Sequence, residues 1–352
     1  MTPVPTVREQ HRPGHGVVRT RFFALRFNVR VLSFVLMGMA VLLLFAAWAM
    51  TLGSYPISIP DVFLAAIGQG ADRDEFIVQQ LRLPRVLTAL MVGASLAMSG
   101  AIFQGLVRNE LVSPDIIGIN SGAAGIGFAW LLLTRNVTAL PLVMFAGGMG
   151  MALLIYALSW RGGIDPNRLV LIGIGMQSVL TALETFLVRR FPIDEVIWAD
   201  NMLLGSVGTA TWGDIRILAA GMAVFVPMAL FLAWPLRVLQ LGDDVAKTVG
   251  LPVEAVRLAL IVVGCWLSAL AVAVAGLVAF IALMVPHAAR MIAGPMSASV
   301  MLFTGVLGGG LLLAADVISH HFLPVELPVS VVIGAIGAPY FLFLFWRTGV
   351  RL

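Results

Sequence analysis

Between two long apolar runs the chain reads LGDDVAKTVGLPVEAVR, Leu241 to Arg257, and this stretch holds Lys247, the one lysine of 352 residues. A glycine, a Lys-Thr pair and acids together raise the question of phosphate chemistry. A phosphate loop needs glycines at two fixed positions before its Lys-Ser/Thr pair, so that backbone N–H groups can wrap the phosphates. Here those positions are Leu241 and Ala246, and Asp243 and Asp244 would repel the ligand. A helical reading is coherent instead. Asp243 and Asp244 sit in a first turn, Lys247 follows Asp243 by four, Gly250 closes the helix, and Pro252 starts the next one with Glu254 in its first turn. Two short helices would then meet at a Gly-Leu-Pro elbow. Such an elbow is either a well-capped surface loop or a rigid charged knob offered to another protein.

The other residues able to do chemistry are scattered. Glu184 and Asp316 lie in apolar runs, where an acid is by default a proton or ion site, although a local ion pair or a bridge between helices serves equally. Gln104, Asn120, Gln177 and Ser178 suit a polar path, and each taken alone fits hydrogen bonding between helices better. His287 stands without neighbouring ligands, and His320 and His321 are adjacent and point differently, so no metal site is expected. No His/Asp/Glu/Ser constellation gathers within the apolar runs, and no catalytic residue is assigned.

The elements that carry these residues belong in a membrane. Mean hydropathy is +1.00, with 60% hydrophobic and 11% charged residues, where soluble domains carry about a quarter charged. The net charge of +4 speaks first to topology, and nucleic-acid binding is not expected. The lone cysteine, Cys265, excludes an intrachain disulfide. Residues 1–30 read as a polar, Arg-rich cytoplasmic tail, and 31–352 as a single all-α transmembrane domain. Eight runs are long enough for a bilayer core, which takes about 20 helical residues: 31–52, 86–106, 116–133, 139–160, 169–188, 217–235, 300–318 and 329–346. The charge-free run 258–286 is either one tilted span or two. Ten spans with a sharp outer turn near Gly276 leave 15 of the 22 Lys and Arg residues inside, whereas nine would push Arg290, Arg347 and Arg351 out. Both termini are then cytoplasmic, and one helix of the 258–294 pair is short, kinked or shielded from lipid.

Six ordered motifs mark the chain as similar to the FecCD-type permeases of ABC importers, the family for ferric siderophores, haem and cobalamin. They are LRLPRVLTALMVGASLAMSGAIFQGLVRN (81–109), SPDIIGINSGAA (113–124), RLVLIGIGM (168–176), LGDDVAKTVGLP (241–252), FIALMVPHAARMIAG (280–294) and LLAADV through ELPVSVVIGAIGAPYFLFLF (312–345). The resemblance implies a type II ABC importer fold of about ten helices in a bacterial inner membrane. It also implies a second permease subunit, two cytosolic ATP-binding subunits and a periplasmic or lipid-anchored binding protein. ATP and Mg would be used by the partner ATPase, with no cofactor in this chain and no enzymatic activity of its own.

Further roles follow from the resemblance alone. Leu241, Gly242, Asp243, Asp244, Lys247, Gly250, Leu251 and Pro252 correspond to the coupling helices that dock in the ATPase. Arg82 and Arg85 correspond to arginines that meet glutamates of the binding protein; the further docking arginine of the family is absent, and His320 is its candidate replacement. Asn109 and Leu111 match the cytoplasmic gate, with Glu110 where the family usually has proline, and Pro166 and Asn167 match the second gate region. Pro166 is equally a helix-start proline. The wording of several motifs is nearest the ferric-enterobactin permease half, which implies a catecholate chelate and a heterodimeric pore; a homodimer, a cobalamin or haem permease, and an ion-coupled secondary transporter are the alternatives.

Overall fold

A computed structural model describes residues 15–19, 24–161, 163 and 165–348. The expected tail lies partly outside the described residues, as do the last four. Within the tail, β1 (His15–Arg19) pairs antiparallel with β2 (Ala24–Asn28), from His15 opposite Asn28 to Arg19 opposite Ala24. The tail's polar composition gave no sign of this hairpin.

The rest is helical. In chain order come α1 (Val29–Ala49), α2 (Ile59–Ala66), α3 (Asp72–Phe76) and α4 (Leu83–Val107), with a π-wound turn over Ile77–Arg82 leading into α4. Next are α5 (Pro114–Ile117), α6 (Ile119–Thr134), α7 (Leu140–Ser159), α8 (Pro166–Arg190), α9 (Ile193–Leu203), α10 (Trp212–Gln240) and α11 (Asp243–Thr248). The chain closes with α12 (Val253–Ala275), α13 (Ile281–Ala293), α14 (Ala298–Val317), a second π turn (Ile318–Phe322) and α15 (Val329–Thr348). Seven helical stretches are long and apolar enough to cross a membrane, and three shorter apolar helices, α6, α13 and the described part of α15, complete ten spans.

The run 258–286 forms two helices, as the arginine count favoured. Gly276 takes φ +72°, ends α12, and is followed by Phe280 at φ +65° before α13 begins. At about 1.5 Å per residue, the 13 residues of α13 reach only some 20 Å, short of a bilayer core. The irregular backbone that replaces its missing turns is satisfied by protein: Leu277 N–H donates to Leu203 O (3.1 Å), and Ser206 N–H to Ala275 O (2.8 Å).

Helix α4 is the centre of the bundle, with 78% of its apolar window buried, against 17% for α8. It can be central because its glycines admit other backbones. A Cβ on Gly93 would run into Gly308 of α14, and one on Gly308 into Gly93. A Cβ on Gly100 would lie 2.7 Å from Ala282 Cα of α13 and nearer still to its carbonyl oxygen. Large side chains such as Phe103, Leu96 and Ile102 of α4 fill the space on either side, fully buried.

Candidate coupling and translocation sites

At one end of the bundle, the elbow end, α11 stands between α10 and α12. Gly242 at φ +118° and Gly250 at φ +84° make the turns on either side of it, conformations that a Cβ disfavours. Only one of the two expected short helices exists. Pro252 caps α12, which then runs 23 residues into the bundle because nothing from Val253 to Ala275 breaks it.

The local pairing expected of Asp243, to Lys247 one turn on, is also absent. Asp243 is drawn to Arg257 of α12 (2.8 Å) and to Arg108 at the end of α4 (2.7 Å). Arg257 is buried and also bonds Glu254 (3.0 Å). Partial burial pushes the Asp243 carboxyl up, but the two guanidiniums outweigh it and hold the group below its ordinary range. What α11 presents outward is Val245, 44% exposed, with exposed Asp244 and Lys247 beside it; Leu241 and Val249, just outside its two ends, are 68% and 57% exposed. Ala246 on the opposite face is buried.

The gate candidates adjoin this network. Arg108 takes the left-handed conformation (φ 57°) and ends α4; Asn109 N–H then donates to Gln104 O (3.2 Å), and Asn109 Oδ1 accepts from Leu111 N–H (2.9 Å). Glu110 reaches α13, with Oε2 2.8 Å from His287 Nδ1 and Oε1 3.6 Å from Arg290. Arg290 donates to Gln104 Oε1 (2.7 Å), while Gln104 Nε2 donates to Leu283 O (2.9 Å). Gln104 is therefore a bridge between α4 and α13. Pro166 is the first residue of α8, and Asp165 caps that helix by accepting from Asn167 N–H (2.8 Å).

Asn120 is likewise a bridge, donating to Asp115 and accepting from Ser268 of α12 (2.7 Å). Burial pushes the Asp115 carboxyl from its ordinary 3.8 up to about 6, against the pull of Asn120 and Ser113. Between those values ionisation costs the folded state more than the unfolded one, so stability falls as pH rises from about 4 to 6 and is level above. Asp115→Asn keeps an acceptor for Asn120 and removes the loss, on the order of 3 kcal/mol at about 1.4 kcal/mol per unit. Thermal unfolding in detergent at pH 4 and pH 7 should show the variant gaining stability over wild type at pH 7 relative to pH 4; an equal change in both proteins would refute it.

At the opposite, far end, Arg82 and Arg85 part company. Arg82 donates to the carbonyls of Met50 (2.6 Å) and Tyr55, tying α4 to the end of α1. Arg85 grips Asp316 of α14 with Nε (2.8 Å) and Nη2 (2.9 Å). The Asp316 bridge considered from sequence thus exists. Arg85 and His320 line one polar cavity of about 300 Å³ with Ser206, Thr209 and Glu326, and His320 Nδ1 lies 3.2 Å from Glu326. Arg82 and His320 both sit in the π turns, a geometry often met at functional sites.

Comparison with known proteins decides the kinship. A model of the FecCD transport family matches residues 39–347. The chain belongs to that family. A ferric enterobactin transport system permease, FepG of Escherichia coli, is 38% identical over 84% of this FecCD chain and 90% of its own length. An achromobactin transport system permease, CbrC of Dickeya dadantii, is 35% identical over 92% and 93%. A solved structure described as a metal-chelate type ABC transporter in an inward-facing conformation superposes with a TM-score of 0.81 at 28% identity, covering 90% of this chain and 99% of its own.

Against this background α8 of the FecCD chain is conspicuous. Its exposed face carries Gln177, Ser178, Thr181 and Thr185 at helical spacing, with the three hydroxyls bonded back to the carbonyls of Ile174, Gln177 and Thr181. Glu184 on the same helix lines a cavity of about 420 Å³ with Asp200, Phe128 and Val196. Of the readings open for Glu184, a local ion pair is absent among the described residues; an ion pair near this end joins Arg135 to Glu195. Sequence reasoning missed Arg108, Arg257 and Arg290 as site residues. Their signal, an arginine at each helix end facing the elbow, was used only to count spans.

Proposed function

We propose that this chain is one membrane-spanning half of an ATP-driven importer that passes an intact ferric siderophore across a bacterial inner membrane. The observation that carries this reading is the polar face of α8. A hydroxyl- and amide-bearing stripe on a largely unburied membrane helix, its hydroxyls bonded to the helix backbone and Gln177 left to find a partner, suits a water-filled path shared with a second subunit. The affinity of the chain to an enterobactin permease supports a catecholate chelate and a non-identical second permease.

The termini and the elbow end face the cytoplasm, following the arginine distribution. There Val245 of α11, with the exposed apolar Leu241 and Val249 at its two ends, seats in the ATPase, with Asp243, Asp244 and Lys247 at its rim and Gly242, Gly250, Leu251 and Pro252 fixing its angle. Asn109 and Leu111, with Pro166 and Asn167, close the cytoplasmic side of the path. Arg82, Arg85 and His320 form the landing for the binding protein on the periplasmic side, around the far-end cavity. ATP and Mg bind only the partner subunits.

Reconstitution of both permeases, the ATPase and the binding protein in liposomes tests this. Uptake of ferric catecholate chelates should exceed that of ferric hydroxamates, ferric citrate, haem and cobalamin, and should stop when the ATPase is inactivated. Uptake that persists with a dead ATPase would replace this reading by an ion-coupled transporter; preference for another ligand would reassign the substrate.

A further inference from the structure

The turn after α4 is held at both sides by charge. On one side Arg108 binds Asp243 of α11; on the other Glu110 meets His287 and Arg290 of α13. Between them Asn109 and Leu111, the gate candidates, are fixed by the Asn109 side chain and by Val112 N–H donating to Asn109 O (3.3 Å). Glu110 itself supplies this connection to α13 from the turn.

We propose that residues 108–110 form a strap that transmits displacement of α11 to the gate and to α13, with Arg108 as the positioning residue at its α11 end and Glu110 at its α13 end. This rests on the import reading above. The argument is mechanical. Asp243 is the first residue of α11 and is also held by the buried Arg257 of α12, so α11 and the start of α12 move as one body with Asp243 on it. Arg108 lies directly before the gate residues in a left-handed turn with little backbone freedom. A shift of α11 imposed by the ATPase therefore pulls on Asn109 and Leu111 through one side-chain pair. Both partners of that pair are about two-fifths exposed (42% and 39%), so in water it adds little to stability. Its use is to connect. The Glu110 contacts carry the same movement to α13, whose Gly100–Ala282 packing on α4 leaves no slack.

The test uses the complete transporter in proteoliposomes, reading ATP hydrolysis stimulated by the loaded binding protein and chelate uptake in the same samples. Arg108→Gln should raise the ATP hydrolysed per chelate transported about tenfold, with assembly intact and the KM for ATP unchanged. Arg108→Lys should restore most of the coupling. In an Asp243→Asn background Arg108→Gln should add nothing, because the pair is already broken. Glu110→Gln should uncouple to a similar degree. An unchanged ratio in Arg108→Gln, or effects of Arg108→Gln and Asp243→Asn that multiply, would overturn the strap while leaving the import reading intact. Wild-type uptake indifferent to an inactive ATPase would instead remove the import reading itself.

Discussion

Gly100→Val is expected to leave no folded protein in the membrane. The first atom of any side chain at this position meets the backbone of Ala282, carbonyl oxygen, carbonyl carbon and Cα together, and backbone cannot rotate aside as a side-chain tip can. Helix α13 cannot retreat either. It is short, buried over Ile281–His287, and preceded by a loop hydrogen-bonded into residues 203–206. Separating α4 from α13 would open the packing around Phe103 and stretch the Gln104 bridge to Leu283 O. Overpacking of a tight core commonly costs about 1–3 kcal/mol, and a backbone-on-backbone clash belongs above that range, at roughly 4 kcal/mol or more. The measurement is the yield of monodisperse protein in detergent. Gly150→Ala is the control: a Cβ there meets nothing within 4 Å, and its yield and melting temperature should match or exceed wild type. Wild-type yield for Gly100→Val would show that α4 and α13 do not meet as described.

The second large effect belongs to Asp316. Its side chain is 6% exposed and both oxygens receive Arg85. Asp316→Leu would leave the Arg85 guanidinium unpaired beside the far-end cavity; breaking a fully buried pair from one side costs about 3–5 kcal/mol, and with Arg85 23% exposed the loss belongs near or below the low end, about 2–3 kcal/mol. Arg85→Met/Asp316→Leu should recover most of that, because two apolar groups remove the desolvation penalty along with the attraction. Thermal unfolding of the four proteins of the cycle gives the coupling directly; additive losses would mean that the two residues do not act as a pair. The double variant also bears on docking. Arg85 already has a carboxylate, so a binding protein that uses it must share it. If affinity for the binding protein survives in the double variant, Arg85 is a strut and the far-end landing depends on its neighbours.

Local reasoning reached the bridges made by single polar side chains between helices. Gln104 and Asn120 fit hydrogen bonding better than a lined path and are found doing that, because a polar side chain in an apolar run must find a partner nearby. The same reasoning failed for Asp243. Helical spacing offered Lys247 at i+4, but an exposed local pair contributes only tenths of a kcal/mol, and two arginines brought in by other helices displace it. The second short helix at the elbow failed for a related reason. Proline and glycine mark where a helix begins, whereas its length depends on how far the following residues continue into the bundle.

Sequence by itself determined that this is a ten-span membrane protein with its irregular pair at Gly276 and its elbow at 241–252. The bilayer imposes those features on any chain, since each crossing needs about 20 apolar residues and the cationic loops choose a side. Only the tertiary structure decided what the charges do. Arg108 and Asp243 are 135 residues apart, Glu110 and His287 farther still, and Arg85 is 231 residues from Asp316. Nothing local joins such pairs; they exist because glycines in α4 let α10, α13 and α14 approach until charges at the helix ends and in α11 come within reach of one another.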